Sequence, residues 1–134
     1  MKRTAIALIF TVLLMFSGCG RNYTVMYGRS EIYTKQDRRA AAETIIKDFD
    51  NWDVDCSMRL LQYAGDGEVT QNNLDYVNSV SDAGGYEQCI VFRGVFRTPE
   101  DSGAFEPNQV YYGYTWYLAR TEGGAWTVVA CGYP

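Results

Sequence analysis

The sequence contains no histidine. Without an imidazole there is no Ser-His-Asp or Cys-His relay, no common zinc-hydrolase ligand set and no histidine pH switch. Any general acid or base would have to be Asp, Glu, Tyr or Lys. Cysteine is scarce: Cys19, Cys56, Cys89 and Cys131. Their wide spacing is not that of a zinc site, and a thiolate nucleophile would lack its usual histidine base. No metal, no cofactor and no catalytic residue is therefore expected. Runs of like charge, low-complexity stretches and internal repeats are also absent.

The one long apolar run, Thr4 to Phe16, is too short to span a bilayer. As a helix it would reach about 20 Å, against a hydrocarbon core of roughly 30 Å. Lys2 and Arg3 precede it and small residues follow, which is the pattern of a secretory signal peptide. Phe16-Ser17-Gly18-Cys19 resembles a bacterial lipobox, with Phe where Leu is usual. The resemblance implies cleavage at Gly18/Cys19 and lipidation of Cys19. Two or more acyl chains would hold the chain stably on the extracytoplasmic face of the cell membrane.

Loss of residues 1–18 removes two bases and no acid, leaving 10 basic and 16 acidic residues, a net charge of −6. Such a balance argues against a nucleic-acid partner, whose phosphates require a basic face. About 116 residues with 15% aromatics suffice for one core.

Residues 19–33 read as a tether and residues 34–134 as the folded domain. Thr34 is placed to cap a helix, with Asp37 able to reach back to it. Helical spacing then runs from Lys35 to Trp52. Ala42, Ile45, Phe49 and Trp52 form its apolar stripe, and Arg38, Arg39, Glu43, Lys47 and Asp50 its polar face. Asp55 to Ala64 reads as a short helix or turn followed by an extended residue or two. Gly65-Asp66-Gly67 is a break, Thr70 caps a second helix to about Ser79, and Asp82 to Gly85 is a turn.

The period then changes to two. Cys89 to Thr98, Val110 to Thr121 and Ala125 to Tyr133 read as three successive antiparallel strands, with a Pro- and Gly-containing loop after the first and Glu122-Gly123-Gly124 after the second. One long helix with a meander curling around it gives an α+β domain. On this layout Cys89 and Cys131 lie on non-adjacent strands near opposite ends, beyond disulfide reach, so a bridge would involve Cys56, most plausibly with Cys131. Free thiols are the alternative.

This order of elements resembles the nuclear-transport-factor-2-like (cystatin-like cone) superfamily, and within it the DUF4829-type bacterial lipoproteins. The matching pieces are Glu31-Ile32-Tyr33 into Ala40-Ala41-Ala42, Cys56 with Leu60, Leu61 and Tyr63, Glu106-Pro107-Asn108 into Tyr114 to Arg120, and Gly124 to Val129 with Gly132-Tyr133. The resemblance implies a cone whose open end and concave sheet face can form a ligand cavity, and it implies no activity.

Tyr112, Tyr114 and Trp116 share one face by strict alternation and are the candidate pocket wall, with core and rim packing the competing reading. The strands place no acid on an inward position, which disfavours an isomerase- or dehydratase-like enzyme with an Asp base and Tyr donors. Asp75 and Asp82 could only line a mouth. Arg93, Arg97 and Arg120 could clamp an anion, or pair with surface carboxylates. The expectation is an envelope-anchored lipoprotein that binds a small apolar ligand, a peptide or a protein partner, with homodimerisation through the sheet a further possibility.

Overall fold

The computed structural model describes residues 22–133. The expected signal peptide and Cys19 lie outside the described residues. The fold is α+β: two helices and one open, mixed, five-stranded sheet.

The chain enters on β1 (Thr24–Met26) and then forms α1 (Lys35–Asp50). Thr34 Oγ1 accepts from the Asp37 backbone N–H at 3.0 Å, and the Asp37 carboxylate accepts from the Thr34 N–H at 3.1 Å. Two otherwise orphaned donors of the first turn are thereby satisfied. The helix buries Ala41, Ala42, Ile45 and Phe49, and also Arg38, which the sequence reading had placed on the polar face. Arg38 falls on the same stripe at helical spacing. Its Nη1 donates to the Tyr33 carbonyl at 3.3 Å and its guanidinium lies 5.8 Å from the Tyr63 ring centroid.

Next comes β2 (Ser57–Tyr63), in the stretch expected to be a short helix or turn. Met58, Leu61 and Tyr63 point into the core, and Arg59 bulges where the register slips between Met58 and Leu60. That extra residue breaks the strand alternation and disguises it in the sequence. A 3₁₀ turn (Asp66–Glu68) leads to α2 (Gln71–Val80), capped by Thr70. The meander follows as β3 (Gln88–Arg97), β4 (Val110–Arg120) and β5 (Thr127–Gly132).

The sheet order is β1-β2-β3-β4-β5. Every neighbouring pair is antiparallel except β1 and β2, which are parallel, with Thr24–Met26 opposite Leu60–Gln62. The sheet thus has two more strands than the sequence suggested, and the stretch read as a tether supplies one of them. Tyr33, also in that stretch, is buried.

The main core lies between α1 and one sheet face, where Leu61, Ile90, Phe92, Phe96, Trp116 and Leu118 are fully buried. Each such side chain contributes about 1.5–3 kcal/mol of transfer free energy. On the opposite face α2 covers a smaller cluster of Val77, Cys89 and Ala119. The Trp116 ring lies over Gly94, where a Cβ would come within 2.7 Å of the indole. Among the described residues no helix is long and apolar enough to cross a membrane.

Candidate functional site

The two ends of α1 are built differently. At its amino end Arg120 is buried, donating from Nε to Gln88 at 2.7 Å and from Nη1 to Asp37 at 3.1 Å. Its guanidinium lies 4.1 Å from the Trp126 ring centroid. Nearby, Asp66 accepts from Ser30 Oγ at 2.5 Å, Tyr63 Oη at 2.6 Å and the Glu31 N–H at 2.7 Å. These donors hold the Asp66 carboxyl below its ordinary range, the Ser30 bond first. Burial works against Asp37, but bonds from Thr34 and Arg120 still hold its carboxyl low. Tyr33 donates to the Cys89 carbonyl at 2.6 Å, and burial pushes its phenol up to about 12.

At the carboxyl end of α1 the contacts are between rings. After the Asn51 cap a tight turn follows, the Trp52 backbone N–H donating to the Phe49 carbonyl at 3.2 Å and its indole N–H to Asp48 at 3.4 Å. The Trp52 indole stacks on Phe105 at 5.7 Å and on Trp116 at 6.2 Å, and meets Phe49, Phe96 and Tyr114 at tilted or edge-on angles. Phe105 is delivered by the β3–β4 loop. Buried Thr98 ties that loop, donating to the Glu106 carbonyl at 2.6 Å and accepting from the Gln109 N–H at 2.9 Å.

Beside this aromatic end lies a cleft of about 480 Å³ between the end of α1, the turn after it, the start of β2 and Asn22-Tyr23. Its buried or half-buried lining includes Ile46, Phe49, Trp52, Cys56 and Met58, and its exposed lining includes Asp50, Asp53, Asp55 and Arg59. A second groove of about 450 Å³ runs on between β1 and α1, sharing Tyr23, Ile46 and Asp50 with the first and adding Val25, Tyr27 and Ala42. Together they form a trough with apolar residues on its floor and a polar, mainly acidic rim.

The expected pocket wall is divided. Trp116 is fully buried and Tyr114 half-buried in the core side of the sheet, whereas Tyr112 is 69% exposed. A register irregularity between Gly94 and Phe96 sets Gly94 opposite Tyr114 and Phe96 opposite Tyr111. Gly113, at φ +67°, supplies the left-handed turn that this slip needs. Tyr111 thereby replaces Tyr112 on the core side and stacks on Phe96 at 5.2 Å. None of Tyr112, Tyr114 and Trp116 lines the cleft.

The arginine clamp is not assembled. Arg120 lies opposite Gln88 at one end of β3 and Arg97 ends the other, while Arg93 pairs with Glu68 at 3.0 Å. Asp75 and Asp82 are exposed, Asp75 accepting from Gln71, and neither lines the cleft. The expected Cys56–Cys131 bridge is not formed: Cys56, Cys89 and Cys131 are free thiols. Cys56 leads into β2, which the register fixes beside β3 with two strands between it and β5. Burial, and secondarily Asp55, raise the Cys56 thiol pKa, and burial raises those of Cys89 and Cys131. Among the described residues no group of three or more acid or cysteine side chains could hold a metal ion.

The sequence reading missed the cleft. One available signal was the alternation of Tyr23, Val25 and Tyr27 with Thr24 and Met26, which marks a strand with its aromatic side turned inward. The chain matches no protein-family model, no curated protein and no solved structure.

Proposed function

We propose that this protein is a lipid-anchored module of the bacterial cell envelope, of nuclear-transport-factor-2-like cone architecture, that binds a ligand without transforming it. The observation that carries this reading is the cleft at the carboxyl end of α1, where a polar rim of Asp53, Asp55 and Arg59 surrounds Ile46, Phe49, Trp52 and Met58 and opens beside Asn22. Clefts of several hundred Å³ that combine apolar side chains with convergent polar groups are where small ligands bind. Asn22 follows Cys19 by three residues, a reach of at most about 11 Å. A lipid on Cys19 would therefore hold the cleft close to the membrane surface.

The shifted acids and phenols of the domain lie outside the cleft. Asp37 and Asp66 are shifted down, and Tyr33, Tyr63 and Tyr114 are shifted up, chiefly by burial. Both directions run away from the near-neutral values that acid–base work requires.

Two experiments test the reading. Intact mass of the protein from the membrane fraction should equal the chain from Cys19 plus acyl groups, and Cys19→Ser should release it to the soluble fraction. An unacylated wild-type mass would remove the anchor. Separately, the neutral dye N-phenyl-1-naphthylamine should brighten on binding mature protein carrying Cys19→Ser, and Ile46→Asp should abolish the response. Equal brightening of the Ile46→Asp protein would remove the cleft as the binding site.

A further inference from the structure

The mouth and floor of the trough differ in a way that selects a ligand. Of the exposed charged residues lining the two grooves, Glu43, Asp50, Asp53 and Asp55 are acids and Lys47 and Arg59 are bases, with the acids Asp53 and Asp55 gathered at the cleft. Asp53 and Asp55 are exposed and, among the described residues, form no ion pair. Half-buried Trp52 lies among the cleft's lining residues beside them. The apolar floor then continues past Ile46 and Tyr23 into the second groove toward Val25. An occupant complementary to this arrangement carries positive charge at one end and an extended apolar body behind it. An anion would meet carboxylates at the mouth.

We infer that the trough binds an elongated organic cation, its ammonium or guanidinium group held at Asp53 and Asp55 and its apolar body laid along Trp52, Phe49 and Ile46. This deepens the binding role proposed above and rests on it.

Three probes of one shape separate the charge from the apolar body: 4-phenylbutylamine, 4-phenylbutanol and 4-phenylbutanoate. Each is titrated against N-phenyl-1-naphthylamine bound to the mature Cys19→Ser chain. The amine should displace the dye at about fivefold lower concentration than the alcohol, the scale expected of two exposed charge pairs, and the carboxylate should be weakest. The Asp53→Asn/Asp55→Asn double variant alters only exposed side chains and should fold. Its melting temperature checks this, and in it the amine should lose its advantage while the alcohol is unchanged. Added salt should shrink the amine's advantage in the wild type.

Equal displacement by all three probes, or an advantage that survives the double variant, would overturn the inference while leaving the binding role intact. Failure of the dye itself to bind would remove both. Light scattering that shows a dimer, with the dye binding only to the dissociated chain, would assign the trough to a second copy and overturn the inference.

Discussion

The amino and carboxyl ends of α1 are held by different physics. At the amino end nearly every contact is directional: the reciprocal Thr34–Asp37 cap, Arg120 on Asp37 and Gln88, and Asp66 with three donors. At the carboxyl end Phe49 and Trp52 meet Phe96, Phe105, Tyr114 and Trp116 through ring contacts at varied angles. Directional bonds fix one geometry, and the groups they satisfy are costly to expose; the groove beside Arg120 and Trp126 is correspondingly smaller, about 320 Å³. Ring packing depends more on area than on direction, so it tolerates a concavity at its margin. The cleft lies at the ring-packed end.

The contrast can be broken most severely at Phe96. It is fully buried and touches six other rings. Phe96→Ala should lower unfolding stability by about 3–5 kcal/mol, measured by urea titration, and should abolish dye binding because Trp52 loses a neighbour. If stability falls and the dye still binds, the cleft does not depend on the ring cluster.

Arg120→Lys is the matching test at the other end. It keeps the charge but removes the planar group over Trp126 and the Nε donor to Gln88. The expected loss is about 2 kcal/mol, with dye affinity unchanged because Arg120 does not line that cleft. A parallel loss of dye affinity would show that the two ends are coupled.

The smallest effect concerns acid. Asp66 and Asp37 have lowered carboxyl pKa values in the folded protein, so on acidification the unfolded chain takes up protons first. Their contribution is fully present above the ordinary carboxylate value of about 4 and is lost as pH falls through the lowered folded values. Asp66→Asn should reduce stability at neutral pH and flatten the acid limb of the curve of melting temperature against pH. An unchanged acid limb would mean that Asp66 is not among the groups responsible.

The directional end was the more legible in the sequence. A cap is a local device, and Thr34 with Asp37 three residues on announces itself without reference to anything distant. β3, β4 and β5 were legible because alternation over 6–11 residues survives single irregularities. What failed were elements whose pattern is interrupted or whose partner is remote. The bulge at Arg59 concealed β2, and β1 is three residues long and gains its place by pairing with a strand more than thirty residues later. Strict alternation put Tyr112 beside Tyr114, and the slip at Gly113 exchanged it for Tyr111. The cleft was the least legible feature, since it depends on the turn after α1 and on the segment leading into β1, Asn22 and Tyr23, supplying the far wall.

That short parallel strand has a mechanical consequence. Tension applied to the chain ahead of Asn22 enters the domain through Thr24–Met26, the edge strand. A pull along that strand loads its hydrogen bonds to β2 in shear, so that they resist together instead of opening one at a time. They are still few beside the long β3–β4 ladder: three register pairs against nine. Tyr23 and Val25 line the trough, so displacing β1 would take away part of its wall while the longer strands keep their pairing.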